Sequence, residues 1–216
     1  MALPVVVAVG GCGPQVAEKV KKYAEAIKVG EGMGEGVEMG PVISAKAKDR
    51  IVGLIDDAEK RGSKVVLDGR GLTVPGYENG HFLGPTVLDD VPLDAPVYTE
   101  EVFGPVLAIV HADTYEEALK IVNAQPFGNG SAIFTNDGGV ARRFTLDVEA
   151  GMVGVNVPIP TPVAFYSFGG WKESLLGDTH IHGPEGVTFY TRAKAITERW
   201  PTEKTYAATM SFQREE

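Results

Sequence analysis

Tyr98-Thr-Glu-Glu-Val-Phe-Gly-Pro-Val-Leu-Ala-Ile-Val110 runs a polar shelf straight into an apolar strand. Its second half, from Val106, is uninterrupted β-branched and aliphatic sequence. That is how a strand reads when both faces are covered in a parallel sheet. Its first half sets two adjacent carboxylates ahead of an aromatic ring and a rigid Gly-Pro. Two readings are open. The segment is a solvated acidic turn, or it is a preorganised ledge on which one carboxylate accepts hydrogen bonds from vicinal hydroxyls and the aromatic covers a flat ring.

Working outward, strands alternate with helices. Val5–Val9 reads as a buried strand, and Val16, Val20, Tyr23, Ala24 and Ile27 then fall on one helical face behind Pro14. A glycine-rich stretch from Val29 to Val37 leads to Met39-Gly-Pro-Val42. Ala47, Ile51, Leu54, Ile55 and Ala58 write a second helix, which Gly62 is placed to stop. Lys64–Leu67 and Pro85–Leu88 are short strands around a Gly/Pro-rich loop. Thr114-Tyr-Glu-Glu117 is a capping box that opens a helix through Val122. Ser131–Thr135 and Met152–Val157 are strands, with a helix over Val140–Val148 between them. Alternation of this kind implies an α/β domain with a largely parallel sheet. From Pro158 the pattern breaks down. Phe165 to Pro184 shows no periodicity, as expected of a functional or wrapping loop. Val187–Thr197 then has the alternation of a strand that must find a partner.

Composition narrows the function classes. The 216 residues are 44% hydrophobic and 23% charged, enough for one sizeable core, and the net charge is −9. No Lys/Arg stretch is interleaved with aromatics, so nucleic acid is not an expected partner. A single cysteine, Cys12, precludes a disulfide framework and a Cys-rich zinc site and points to a reducing compartment such as the cytoplasm. Met1–Gly10 has no basic n-region, and Pro4 interrupts it, so it reads as a strand rather than a signal peptide. No apolar run has transmembrane length.

Several smaller motifs weigh toward structure rather than chemistry. Gly11-Cys-Gly13-Pro-Gln-Val16 imitates a dinucleotide loop, but Val16 stands where the third glycine is needed and Pro14 has no N–H for a phosphate. Cys12, near a helix N-terminus, is placed where a thiolate is stabilised, yet no histidine is close in sequence, and an incidental role is preferred. Asp178, His180 and His182 are close enough to be compared with metal ligands, although no metal is expected. Asn156 ends a strand, either as a strand-end hydrogen bond or as pocket lining. Phe165 and Phe168 are either core residues or the wall of a substrate channel. Lys172 reads as a loop anchor.

The whole chain resembles the aldehyde dehydrogenase superfamily. Glu100-Glu-Val-Phe-Gly-Pro-Val106 is similar to its EEIFGPV signature, and Met39-Gly-Pro41 to its MGP segment. Phe127–Thr135, Gly151–Asn156 and Phe168-Gly-Gly-Trp-Lys172 follow in family order. Asn156–Phe165, Ser167–Ser174, His182–Arg192 and Lys194–Trp200 resemble the CoA-acylating methylmalonate-semialdehyde dehydrogenases. The resemblance implies a fold, a reaction and roles. Glu101 would hold the nicotinamide ribose of NAD and Phe103 the nicotinamide, with Asn156, Phe165 and Phe168 at the substrate pocket. A thiolate attacks methylmalonate or malonate semialdehyde, hydride passes to NAD, and CoA takes the acyl group as propionyl- or acetyl-CoA.

By family register the nucleophilic cysteine, in Gly-Gln-Arg-Cys, falls immediately before Met1, and the Rossmann cofactor domain lies further upstream. No catalytic residue is therefore expected within the chain itself. The implied organisation is an α/β catalytic domain over residues 1–162, a wrapping loop over 163–186, an oligomerisation strand over 187–200 that pairs in a homo-oligomer through 187–197, and a tail over 201–216. The alternative is a non-catalytic remnant or scaffold that associates through that terminal strand.

Overall fold

The structure is a computed structural model that describes residues 2–198 and 200. Strand β1 (Val5–Val9) is followed by a 3-10 turn, Gly10–Cys12, and helix α1 (Gly13–Glu25). Helix α2 (Ala45–Lys60) leads to β2 (Lys64–Leu67), β3 (Thr86–Asp89), the single-turn helix α3 (Pro96–Thr99) and β4 (Val106–Ala112). Helix α4 (Tyr115–Asn123), β5 (Phe127–Gly128), β6 (Gly130–Ile133), α5 (Gly138–Asp147) and β7 (Met152–Val155) come next. The two-residue β8 (Trp171–Lys172) and α6 (Pro184–Tyr190) close the described chain.

The main sheet has the order β1-β4-β3-β2; β4 is parallel to both neighbours and only β2 runs antiparallel. A second parallel pair, β6–β7, and a short antiparallel pair, β5–β8, stand beside it. The continuous apolar run of β4 is explained by burial from two sides. Ala108 and Val110 point into a core built with Ile51, Leu54, Ile55 and Ala58 of α2. Ile109, between them, points into the opposite core with Ala8, Val87 and Ala17 of α1. Helices therefore cover both faces, as the alternation of elements implies.

Helix ends follow local chemistry. The Ser44 and Thr114 hydroxyls accept from the amides of Ala47 and Glu117, and the Glu117 carboxylate reaches back to the Asp113 amide at 2.7 Å. At α5 the Asp137 carboxylate accepts from both Gly139 and Val140. Asp137→Ala orphans both donors and weakens the helix dipole match, so it is expected to cost about 1 kcal/mol in urea unfolding. Asp137→Asn should recover most of that.

The terminal strand is corrected. Over 187–197 the structure places no strand among the described residues; its first part lies in α6. An unpaired strand leaves its N–H and C=O groups without a ladder. Locally, Pro184 at the first helical position and Glu185 in the first turn favour a helix instead. Gly183, at φ 66°, makes the turn into it, and an added Cβ there would meet the Ser167 amide nitrogen at 2.6 Å. Residues 192–198 carry no regular secondary structure. The 201–216 tail lies outside the described residues. No described helix is long and apolar enough to cross a membrane.

Candidate functional site

Glu100–Pro105 spans the gap between α3 and β4, at the N-terminal end of the parallel strands. It is fixed from below. Val102 is buried, and the Pro105 carbonyl accepts from the Thr86 amide at 2.8 Å. Gly104 lies on Ile51: a Cβ there would sit 2.5 Å from Ile51 Cδ1, so a larger residue would have to push that buried side chain aside. On the outer side the ledge is open. The Glu101 carboxylate has no hydrogen-bond or ion-pair partner among the described residues. Phe103 is 75% exposed and held at φ 54°. A left-handed phenylalanine costs on the order of 1–3 kcal/mol, and here it presents an aromatic ring to solvent. A free carboxylate beside a rigid, uncovered ring suits a sugar diol joined to a flat heterocycle, and these residues fit the nicotinamide riboside half of NAD.

Arg50, on the exposed side of α2, was not singled out in the sequence. Its Nη2 donates to the main-chain carbonyls of Glu101 and Val102, at 2.8 Å each. Its Nη1 lies 3.8 Å from the Glu100 carboxylate. The only sequence signal was a charge next to the core residue Ile51, and a solvated helix face explains such a charge equally well.

Cys12 stands elsewhere. Val5 pairs with Ala108 and Val9 with Ala112, so the start of β1 lies beside the start of β4 and the ledge. The Pro4 carbonyl accepts from the Ala108 amide at 2.9 Å. Cys12 follows the far end of β1, the length of a five-residue strand away, roughly 16 Å. It is exposed.

The remaining candidates gather around the end of β7 and the loop after it. Asn156, at φ 57°, extends the β6–β7 ladder with its side chain: Oδ1 accepts from the Thr135 amide at 2.9 Å and Nδ2 donates to the Thr135 carbonyl at 3.0 Å. That is the strand-end hydrogen bond, made twice. Phe165 is exposed and packs on Tyr166. Phe168 is half-buried and stacks on His182, with ring centroids 4.3 Å apart. Phe168, His182, His180, Met152 and Asn129 line a hollow of about 410 Å³. His180 turns toward Glu185, whose carboxylate also accepts from Ser167, so His180 and His182 have separate partners.

Lys172, at φ 53°, donates to the carbonyls of Asn123 and Gln125 at the end of α4 and pairs with Glu149 at 2.8 Å. A cation at a helix C-terminus is favourably placed, and the loop is anchored there. The one tight group of possible metal ligands among the described residues is Asp89, Asp90 and His111. The Lys64 ammonium already lies 2.6 Å from Asp90 and holds that carboxyl below its usual range.

Comparison with known proteins settles the family. Residues 1–196 match the aldehyde dehydrogenase family. A malonate-semialdehyde dehydrogenase of Pseudomonas aeruginosa is 49% identical over 212 residues, which are 96% of this chain and 42% of that protein. The bovine mitochondrial acylating methylmalonate-semialdehyde/malonate-semialdehyde dehydrogenase is 45% identical over 203 residues, covering 94% of this chain and 38% of that one. A protein assigned as a methylmalonate-semialdehyde dehydrogenase from Sinorhizobium meliloti, solved with NAD, superposes with a TM-score of 0.89 at 47% identity, covering 92% of this chain and 40% of its own. The chain thus spans about two fifths of the length of these relatives. It belongs to the aldehyde dehydrogenase family.

Proposed function

We propose that this chain supplies the nicotinamide side and part of the substrate wall of an NAD-dependent, CoA-acylating dehydrogenase for methylmalonate or malonate semialdehyde. The observation that carries it is the open ledge: an unpaired Glu101 carboxylate beside an exposed, left-handed Phe103, at the end of the sheet where β1 begins. When bound, NAD accepts the hydride. Glu101 would accept hydrogen bonds from the ribose hydroxyls, and Phe103 would limit where the nicotinamide ring can lie. Phe165 and Phe168 form the apolar wall on the aldehyde side, and Asn156 sets the backbone from which that wall departs.

The thiol of this reaction is not Cys12. Cys12 stands past the end of β1 that is remote from the ledge, too far to serve a nicotinamide held there. CoA would be the acyl acceptor, the role that the resemblance to the acylating enzymes implies. Val187, Phe189, Tyr190, Ile196 and Trp200 are exposed, an apolar surface suited to contact with a second copy. α6 and the residues after it, rather than a preformed strand, would make that homo-oligomer contact. The alternative, a scaffold without catalysis, shares this surface but has no use for the strain at Phe103.

The test is direct. The purified 216-residue chain, given malonate semialdehyde, NAD and CoA, is expected to form no NADH, and Cys12→Ser is expected to change nothing. Mixed with the amino-terminal part of the Pseudomonas relative as a separate polypeptide, it is expected to form at most one NADH per site without CoA and to turn over continuously only when CoA is present. Turnover by the pure chain that disappears in Cys12→Ser would overturn the placement of the nucleophile. Sustained turnover by the mixture without CoA, at the rate seen with it, would overturn the acylating reading.

A further inference from the structure

We infer that Arg50 is a positioning residue for the ledge, acting through main-chain carbonyls rather than by touching a ligand. The inference rests on reading Glu101 and Phe103 as the nicotinamide face. Residues 100–105 form no strand or helix, so their peptide planes are not held by a regular ladder. Two consecutive carbonyls, those of Glu101 and Val102, converge on one guanidinium nitrogen at 2.8 Å each. A cationic donor makes these bonds stronger than neutral ones.

The two carbonyls flank Val102, so the clamp fixes the torsions of Val102, and the left-handed Phe103, at φ 54°, follows directly on the second of them. Arg50 offsets the strain of the left-handed residue and aims the Glu101 side chain outward. The Glu100 carboxylate, 3.8 Å from Nη1, completes the pairing of the guanidinium and keeps the two adjacent glutamates distinct: one turned to Arg50, the other left unpaired. Arg50 is carried by the same helical turn as Ile51, the residue on which Gly104 rests. Helix α2 therefore sets both the height and the orientation of the ledge. Lysine cannot reproduce this, because its ammonium is a point donor without a rigid fork.

Hydrogen exchange followed by mass spectrometry on the 216-residue chain tests the clamp. Arg50→Ala is expected to speed exchange across 98–106 by about tenfold or more, the loss of two charge-assisted bonds, while 51–58 and 107–112 keep their protection. Arg50→Lys should fall between the two. A change under twofold at 98–106, or an equal rise over the whole chain, would overturn the inference.

A second arm uses β-nicotinamide mononucleotide, with its dissociation constant read from resonance shifts at Phe103. Arg50→Ala is expected to raise that constant about tenfold while the melting temperature moves little. A lower melting temperature with an unchanged constant would reduce Arg50 to a structural residue. If the wild-type ledge ignores the mononucleotide, the nicotinamide reading fails, and the clamp stands or falls on exchange alone.

Discussion

Ile51→Ala is expected to lower the unfolding free energy by about 2–5 kcal/mol, the range for truncating a fully buried aliphatic side chain. Ile51 is 1% exposed and belongs to the core shared by α2 and β4. Its outer end also supports Gly104. The cavity left behind therefore opens directly beneath the ledge, where nothing else fills it, and the cost should lie in the upper half of the range. Ile51→Val keeps most of the volume and should cost about 0.5–1.5 kcal/mol. Urea unfolding followed by circular dichroism measures both. Equal effects of the two substitutions would mean that the buried volume of this side chain does not set the cost.

Glu101→Gln should have the largest effect on binding. The substitution keeps shape and length but exchanges an ionised acceptor for a neutral amide. A hydrogen bond to a charged group contributes about 1.5–3 kcal/mol, so the affinity of the chain for β-nicotinamide mononucleotide should fall about 10- to 100-fold. Stability should hardly change, because the carboxylate has no partner within the described residues to lose. Glu100→Gln is the internal control. Its carboxylate faces Arg50 across an exposed 3.8 Å pair, which contributes little in water. If the two glutamines weakened binding equally, the ledge would be acting as a diffuse acidic patch rather than through one oriented carboxylate.

Much of this architecture is written locally in the sequence. The unbroken apolar run of β4 announces two covered faces, and two helices do cover it. At Thr114 the hydroxyl caps the helix as read, while the Glu117 carboxylate reaches back one residue further, to the Asp113 amide. The strand-end bonds read for Asn156 form, through a carboxamide bonded on both sides to Thr135.

What could not be read depends on distance or on backbone geometry. Arg50 and the carbonyls it binds are about fifty positions apart, and an exposed arginine on a helix is ordinary. The anchoring of Lys172 to the end of α4 spans a similar separation. No residue type announces a left-handed phenylalanine. The expected strand over 187–197 went the other way. Its alternation was real, but a strand needs a neighbour, and Pro184 with Glu185 favours a helix that needs none.

The central claim is that the nicotinamide face lies on the ledge and not at the glycine turn around Cys12. It is tested most directly by titrating the 15N-labelled chain with β-nicotinamide mononucleotide and mapping the resonances that move. Shifts are expected at Glu101, Val102, Phe103 and Gly104, with Gly11, Cys12 and Gly13 unmoved. Shifts centred on Gly11–Gly13 with a silent ledge would contradict the account.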